Sequence, residues 1–103
     1  MDITDLIDRC VGGYGEMDIA TIIITILKDK LPKGKDLYTF LNNEAPVYFL
    51  NRANYWHAQI KLDPDMIDRY HNKSMKLTEI ALKFKQTNFK KIIMKEIEYL
   101  TSN

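Results

Sequence analysis

Apolar residues recur along this chain with two different periods, and the change of period outlines its parts. Ile3, Leu6, Ile7, Cys10 and Val11 follow the i, i+3, i+4, i+7, i+8 spacing of one helical face. Asp2 is the candidate N-cap of that first helix and Gly12-Gly13 its stop. Ile19, Ile22, Ile23, Ile26 and Leu27 again keep to one face, with Asp18 as candidate cap, Lys28-Asp29-Lys30 closing the segment, and Pro32 and Gly34 beyond it. The β-branched run from Thr21 to Ile26 favours a strand. The length of the segment and its one-sided spacing decide for a helix.

Farther on the pattern changes. Val47-Tyr48-Phe49-Leu50 and Tyr55-Trp56-His57-Ala58-Gln59-Ile60 are aromatic, β-favouring runs on either side of Asn51-Arg52-Ala53-Asn54, a group rich in turn formers. Together they predict a β-hairpin, too small to be stable alone and so expected to lie on the helices. Leu37, Tyr38 and Phe40 lead into it, and a second reading makes Asp36 to Asn43 a short helix.

Asp63-Pro64-Asp65 is the best helix start in the chain, with an N-cap acid, proline at the first helical position and a further acid in the first turn. Met66, Ile67, Tyr70, Leu77, Ile80, Ala81 and Phe84 carry that helix on. A break at Gln86-Thr87-Asn88 precedes a last helix from Phe89 to Leu100, capped by Thr87 or Asn88. The predicted fold is therefore mainly α with a small β-hairpin, an α+β plan of about four helices plus one hairpin. It forms a single domain over residues 1–103, and a winged-helix-like arrangement is a variant of it.

Composition supports a self-sufficient core: 46% of the 103 residues are hydrophobic, so no staple is needed. The single cysteine, Cys10, has no internal partner and sits on an apolar stripe, which reads as a core thiol in a reducing compartment. No apolar run approaches a membrane span, and the N-terminus opens with an acidic amphipathic pattern rather than a basic one. The chain is accordingly expected to be intracellular, with no membrane partner.

Charge adds the one partner-specific signal. Fifteen basic residues nearly balance fourteen acidic ones, but Asp2, Asp5, Asp8, Glu16 and Asp18 face only Arg9 within residues 1–27. From Lys73 to Lys95 there are seven lysines against Glu79 alone, threaded between apolar positions. A cationic face over an amphipathic helical pair points to a polyanion. The candidate nucleic-acid-binding residues are Lys76, Lys83, Lys85, Lys90, Lys91 and Lys95, with Arg52 touching phosphate from the hairpin tip like the wing of a winged helix. Tyr48, Phe49, Tyr55 and Trp56 on the hairpin are candidates for a base-stacking platform, against the alternative that they are core.

Catalytic readings fail on inventory. His57 and His71 lie on different predicted elements with no cysteine pair to complete a zinc site, and Cys10 is on the wrong face for a Cys-His nucleophile. Gly12-Gly13-Tyr14-Gly15 precedes a helix, but no strand comes before it and no Lys-Ser or Lys-Thr follows at phosphate-loop spacing. Asp63 and Asp65 read as cap chemistry. The expectation is a protein with no catalytic residue, metal or cofactor.

Several stretches share an order with a known family. Asp18-Ile19-Ala20 opens a helix ending Leu27-Lys28-Asp29-Lys30; Val47-Tyr48-Phe49-Leu50 is followed by Trp56; Lys76-Leu77 leads to Phe89-Lys90-Lys91-Ile92-Ile93 with Glu96 behind. In these respects residues 5 to 100 resemble the region between the primase and helicase domains in primase-helicases of large DNA viruses, of poxvirus and African swine fever virus type, and of related phages. The chain departs from that family in the Leu37-Tyr38-Thr39-Phe40 stretch, where an aromatic usually opens the hairpin region, and in having no helicase phosphate loop. The resemblance implies a replication context in the host cytoplasm or at a viral replication site, with ATP hydrolysis and priming lying elsewhere.

The leading expectation is a non-catalytic nucleic-acid-binding module of a viral or phage DNA replication apparatus, using the C-terminal lysine face. The alternative is a small phage or mobile-element protein that binds and inhibits a host protein. A winged-helix regulator is a third reading.

Overall fold

The computed structural model describes residues 3–11, 15–28 and 30–102. Within them the regular structure is entirely helical: α1 (Ile3–Arg9), α2 (Glu16–Leu27), α3 (Gly34–Asn43), α4 (Ala45–Leu62), a 3-10 turn at Pro64–Met66, α5 (Ile67–Lys83) and α6 (Thr87–Thr101). Asp2, Gly12-Gly13-Tyr14 and Asp29, which the sequence pattern cast as cap, turn and charged helix end, lie outside the described residues.

The expected β-hairpin is corrected by α4. The described residues contain no strand, so the fold is all-α and the winged-helix variant falls with the hairpin. The reason lies in a spacing that the aromatic runs conceal. Ala45, Phe49, Ala53, Trp56 and Ile60 recur at i, i+4, i+8, i+11 and i+15, one continuous helical face. Pro46 stands in the first turn, where its missing N–H costs nothing, and Asn51-Arg52-Ala53-Asn54 contains neither Gly nor Pro to interrupt the helix. Strand propensity of aromatic residues depends strongly on context, and packing overrides it here.

α4 packs most extensively on α5 in an antiparallel helical hairpin closed by the 3-10 turn. Asp63 ends α4 instead of capping α5, so the helix expected to start there starts three residues later. α2 lies against α6 and α1, while α3 bridges α4 and α6 after a one-residue joint at Glu44. The second reading of Asp36 to Asn43 as a short helix corresponds to α3. At the start of α2, Gly15 is the N-cap and Asp18 stands at N3, where its carboxylate accepts a 3.4 Å hydrogen bond from the Gly15 N–H. The expected cap residue thus works from inside the first turn. Thr25 tolerates the helix by donating its hydroxyl to the Thr21 carbonyl at 2.8 Å.

One core joins these helices, with Ile7, Ile19, Ile23, Leu41, Phe49, Leu77, Ile80, Phe84 and Ile93 fully buried. Phe84 is its centre: its ring lies 5.6 Å from Phe49 and 5.2 Å, edge to face, from Phe89. Cys10 is buried in the same core and leans on the Leu6 carbonyl at 3.8 Å. Burial, and secondarily the charge of Asp18, pushes its thiol up to about 11.

The core does not reach the far end of the helical hairpin. In α4 the last buried residue is Ala53, and in α5 the first is Leu77. The distal half therefore overhangs the bundle, in keeping with overall dimensions of 47 × 27 × 20 Å.

Candidate nucleic-acid interface

The lysines singled out in the sequence do not form one face. Lys90 is buried, with 2% of its surface exposed, and its ammonium donates a 2.7 Å hydrogen bond to the Asn42 Oδ1 while standing 4.8 Å from the centre of the Tyr38 ring. It ties α6 to α3. The Tyr38 phenol is correspondingly held below its ordinary value, first by a hydrogen bond with the Thr87 side chain, then by one with Lys90, with the charges of Lys90 and Lys91 adding. On α5, Lys76 and Lys83 are half-buried, and the Lys83 ammonium sits 5.8 Å from the Phe89 ring centre. Lys85, Lys91 and Lys95 are exposed.

Arg52 is in the middle of α4 and points at α1 rather than occupying a loop tip. Its Nε and terminal nitrogen donate to the two oxygens of Asp8 at 2.9 and 2.7 Å, and Trp56 Nε1 donates to the same carboxylate at 3.0 Å. The guanidinium also covers the Tyr55 ring at 4.0 Å, and the Lys73 ammonium stands 4.1 Å from the centre of the Trp56 ring. The four aromatics proposed as a platform are thereby dispersed. Phe49 is core, Trp56 stacks with Tyr70 at 5.3 Å, and Tyr48 and Tyr55 line a hollow of about 400 Å³ against Ile3, Thr4 and Ile7 of α1.

What the tertiary structure brings together is a different set. Lys91 and Lys95, one turn apart on the outer face of α6, meet Lys33 at the start of α3 around a cleft of about 570 Å³. Its floor is Leu31, Pro32, Leu37, Met94 and Ile97, and Glu98, Thr101 and Ser102 close its far end. The α2–α3 connection that forms one wall carries Lys28, Lys30 and Lys33, and Lys35 follows in the first turn of α3; all four are exposed. Gly34 permits the turn into α3 with φ +56°, a conformation that a side chain would strain. This second lysine run was visible in the sequence only as the closing charge of α2. The signal that it belongs to a surface shared with α6 was the Pro32-Gly34 corner, which turns it back on the bundle.

The two histidines are exposed on α4 and α5, and the described residues contain no group of three or more His, Cys, Asp or Glu side chains placed to hold a metal. No helix among them is long and apolar enough to cross a membrane. Fold and site together define an all-α bundle with a lysine-rimmed apolar cleft at one end. Comparison with protein-family models, curated proteins and solved structures finds no match.

Proposed function

We propose that the protein is a non-catalytic nucleic-acid-binding module, acting in the replication context that the resemblance implies, and that it grips the phosphate backbone through Lys33, Lys91 and Lys95, with Lys28, Lys30, Lys35 and Lys85 adding to the field. The observation that supports this reading is the convergence of Lys33 with Lys91 and Lys95 on one rim, although some 60 residues of chain separate them. Clustered ammonium groups are effective backbone contacts because each neutralised phosphate releases condensed counterions. Lys90 and Arg52 have no place in that set, since both are committed to internal hydrogen bonds.

Fluorescence anisotropy on a labelled single strand and a duplex over a range of salt tests the reading. Three to four phosphate contacts predict a log–log salt slope of about −3, and K33E/K91E/K95E should abolish binding. No binding even at low salt overturns it.

The cleft floor favours a second reading. A phosphodiester backbone has no use for Leu31, Pro32, Leu37, Met94 and Ile97 beneath the lysines, whereas a protein segment bearing both acidic and apolar side chains uses the two together. That is the host-partner alternative. It predicts an affinity reduced by Leu37→Asp as much as by Lys91→Glu, and absent for nucleic acid.

A further inference from the structure

Phosphate contacts on the rim leave the floor of the α3–α6 cleft without a use. Leu31, Pro32, Leu37, Met94 and Ile97 line the same concavity of about 570 Å³ as the lysines. That volume is in the range of small-molecule sites, and the plan is theirs too, apolar walls with a few charged groups converging on them. Lys33, Lys91 and Lys95 outnumber Glu98 among the charged lining residues, and none of the three is in an ion pair among the described residues. The cleft therefore asks for an anion that also carries apolar surface.

The α6 side gives the ligand a length and a direction. It runs from Lys91 to Ser102, about 16 Å at the rise of a helix. Lys91 and Lys95 come first along it, and Glu98 with the last carbonyls of α6, the negative end of its dipole, come after. An anionic head belongs beside Lys91 and Lys95, with Lys33 adding charge from the α2–α3 wall. The rest of the ligand then lies over Met94 and Ile97. An extended peptide would lay backbone N–H and C=O groups on that carbon floor, where unpaired polar groups are costly. The hydroxyls nearby are already engaged, Thr101 donating to the Ile97 carbonyl at 2.7 Å and Ser102 to the Tyr99 carbonyl at 3.0 Å. An alkyl chain needs no such partners.

We infer that the cleft binds a small anionic amphiphile from solution, one carboxylate or phosphate head on an unbranched alkyl tail of about ten carbons. At about 1.3 Å of advance per carbon, such a molecule spans the α6 side from Lys91 to its far end. The inference does not rest on the nucleic-acid reading. It uses the floor, which a strand does not, and a protein that binds no strand still has the site.

Titration of the full ¹⁵N-labelled chain with sodium decanoate, kept well below micelle formation and followed by amide chemical shifts, tests it. Saturable one-to-one binding is expected below about 1 mM, with the shifts centred on residues 31–37 and 91–102. Decyl phosphate should move the same residues. Decanol, which lacks the charge, should bind at least about tenfold more weakly, and each methylene removed between decanoate and octanoate should cost about three- to fourfold. K33Q/K91Q/K95Q changes only exposed positions and should remove most of the preference for decanoate over decanol while circular dichroism stays unchanged. Met94→Gln, at a partly buried floor position, should weaken both ligands together. No saturable shift by about 1 mM, equal affinity for decanoate and decanol, or shifts centred on the Tyr48–Tyr55 hollow overturns the inference. So does a result in which an acidic, leucine-rich peptide or phosphatidylglycerol vesicles bind while decanoate does not, which assigns the cleft to a protein segment or a membrane surface.

Discussion

Asp8 and Arg52, 44 positions apart, form a bidentate ion pair at 2.7 and 2.9 Å that fastens the first helix to the middle of the fourth. The pair is only about one-fifth exposed, and Trp56 adds a third hydrogen bond to the same carboxylate. Two charges partly withdrawn from water in this geometry hold each other, and removing the Asp8 carboxylate takes away three hydrogen bonds from Arg52 and Trp56 at once.

Replacing Asp8 by Ala is therefore expected to cost about 2–3 kcal/mol in urea unfolding, more than an exposed ion pair. Arg52→Lys should recover only part of the stability lost in Arg52→Ala, because an ammonium cannot reproduce the planar two-point contact. A double-mutant cycle on Asp8 and Arg52 measures the coupling directly. Neither change should weaken nucleic-acid binding, which separates the pair from the phosphate contact expected of Arg52 in the sequence.

Lys90 and Lys91 are neighbours in sequence with opposite environments. Lys90→Met should lower stability by about 0.5–1.5 kcal/mol, since the hydrogen bond from the buried Lys90 to the exposed Asn42 is lost. It should leave the salt slope of nucleic-acid binding unchanged. Lys91→Glu should do the reverse, with stability altered by less than about 0.5 kcal/mol and binding reduced. Parallel unfolding and anisotropy titrations compare the two.

Phe84 touches rings from both sides of the bundle, so Phe84→Ala should cost about 3–5 kcal/mol, while Phe84→Leu, which keeps most of the volume, should cost markedly less. Thermal unfolding followed by circular dichroism distinguishes them.

Cys10 gives a pH dependence with a defined sign. Its thiol titrates at about 11 in the folded protein against 9.0 in the unfolded chain, so above pH 9 the folded state holds the proton more firmly. Its contribution to stability is complete below pH 9 and is lost as pH rises through about 11. The difference in unfolding free energy between wild type and Cys10→Ala, measured from pH 8 to pH 11, should shrink over that window. At neutral pH the native thiol should react with a disulfide reagent only as fast as the protein opens.

Much of this architecture was legible from spacing. α1, α2, α5 and α6 follow one-sided apolar patterns whose period is a property of the chain itself, and Leu77, Ile80, Phe84, Phe89, Ile93 and Ile97 are buried where that period puts them. α4 was not legible, because Val47-Tyr48-Phe49-Leu50 and Tyr55-Trp56 are apolar on several faces and mask the period of Ala45, Phe49, Ala53 and Trp56. Those excess apolar positions are the exposed Val47, Tyr48, Leu50 and Tyr55, of which Tyr48 and Tyr55 lie beside α1.

Sequence alone determined where helices form in most of the chain and that lysines dominate its last third. Those are local properties, carried by period, capping and composition. Only the tertiary structure decided which charges face water. Lys90 and Lys91 differ by 100° of helix rotation, enough to send one beneath α3 and leave the other on the rim. Arg52 found Asp8 because α1 crosses α4 at that level, and Lys33 joined Lys91 and Lys95 because the chain turns back at Pro32 and Gly34. Such meetings depend on how helices pack in three dimensions, which no one-dimensional period records.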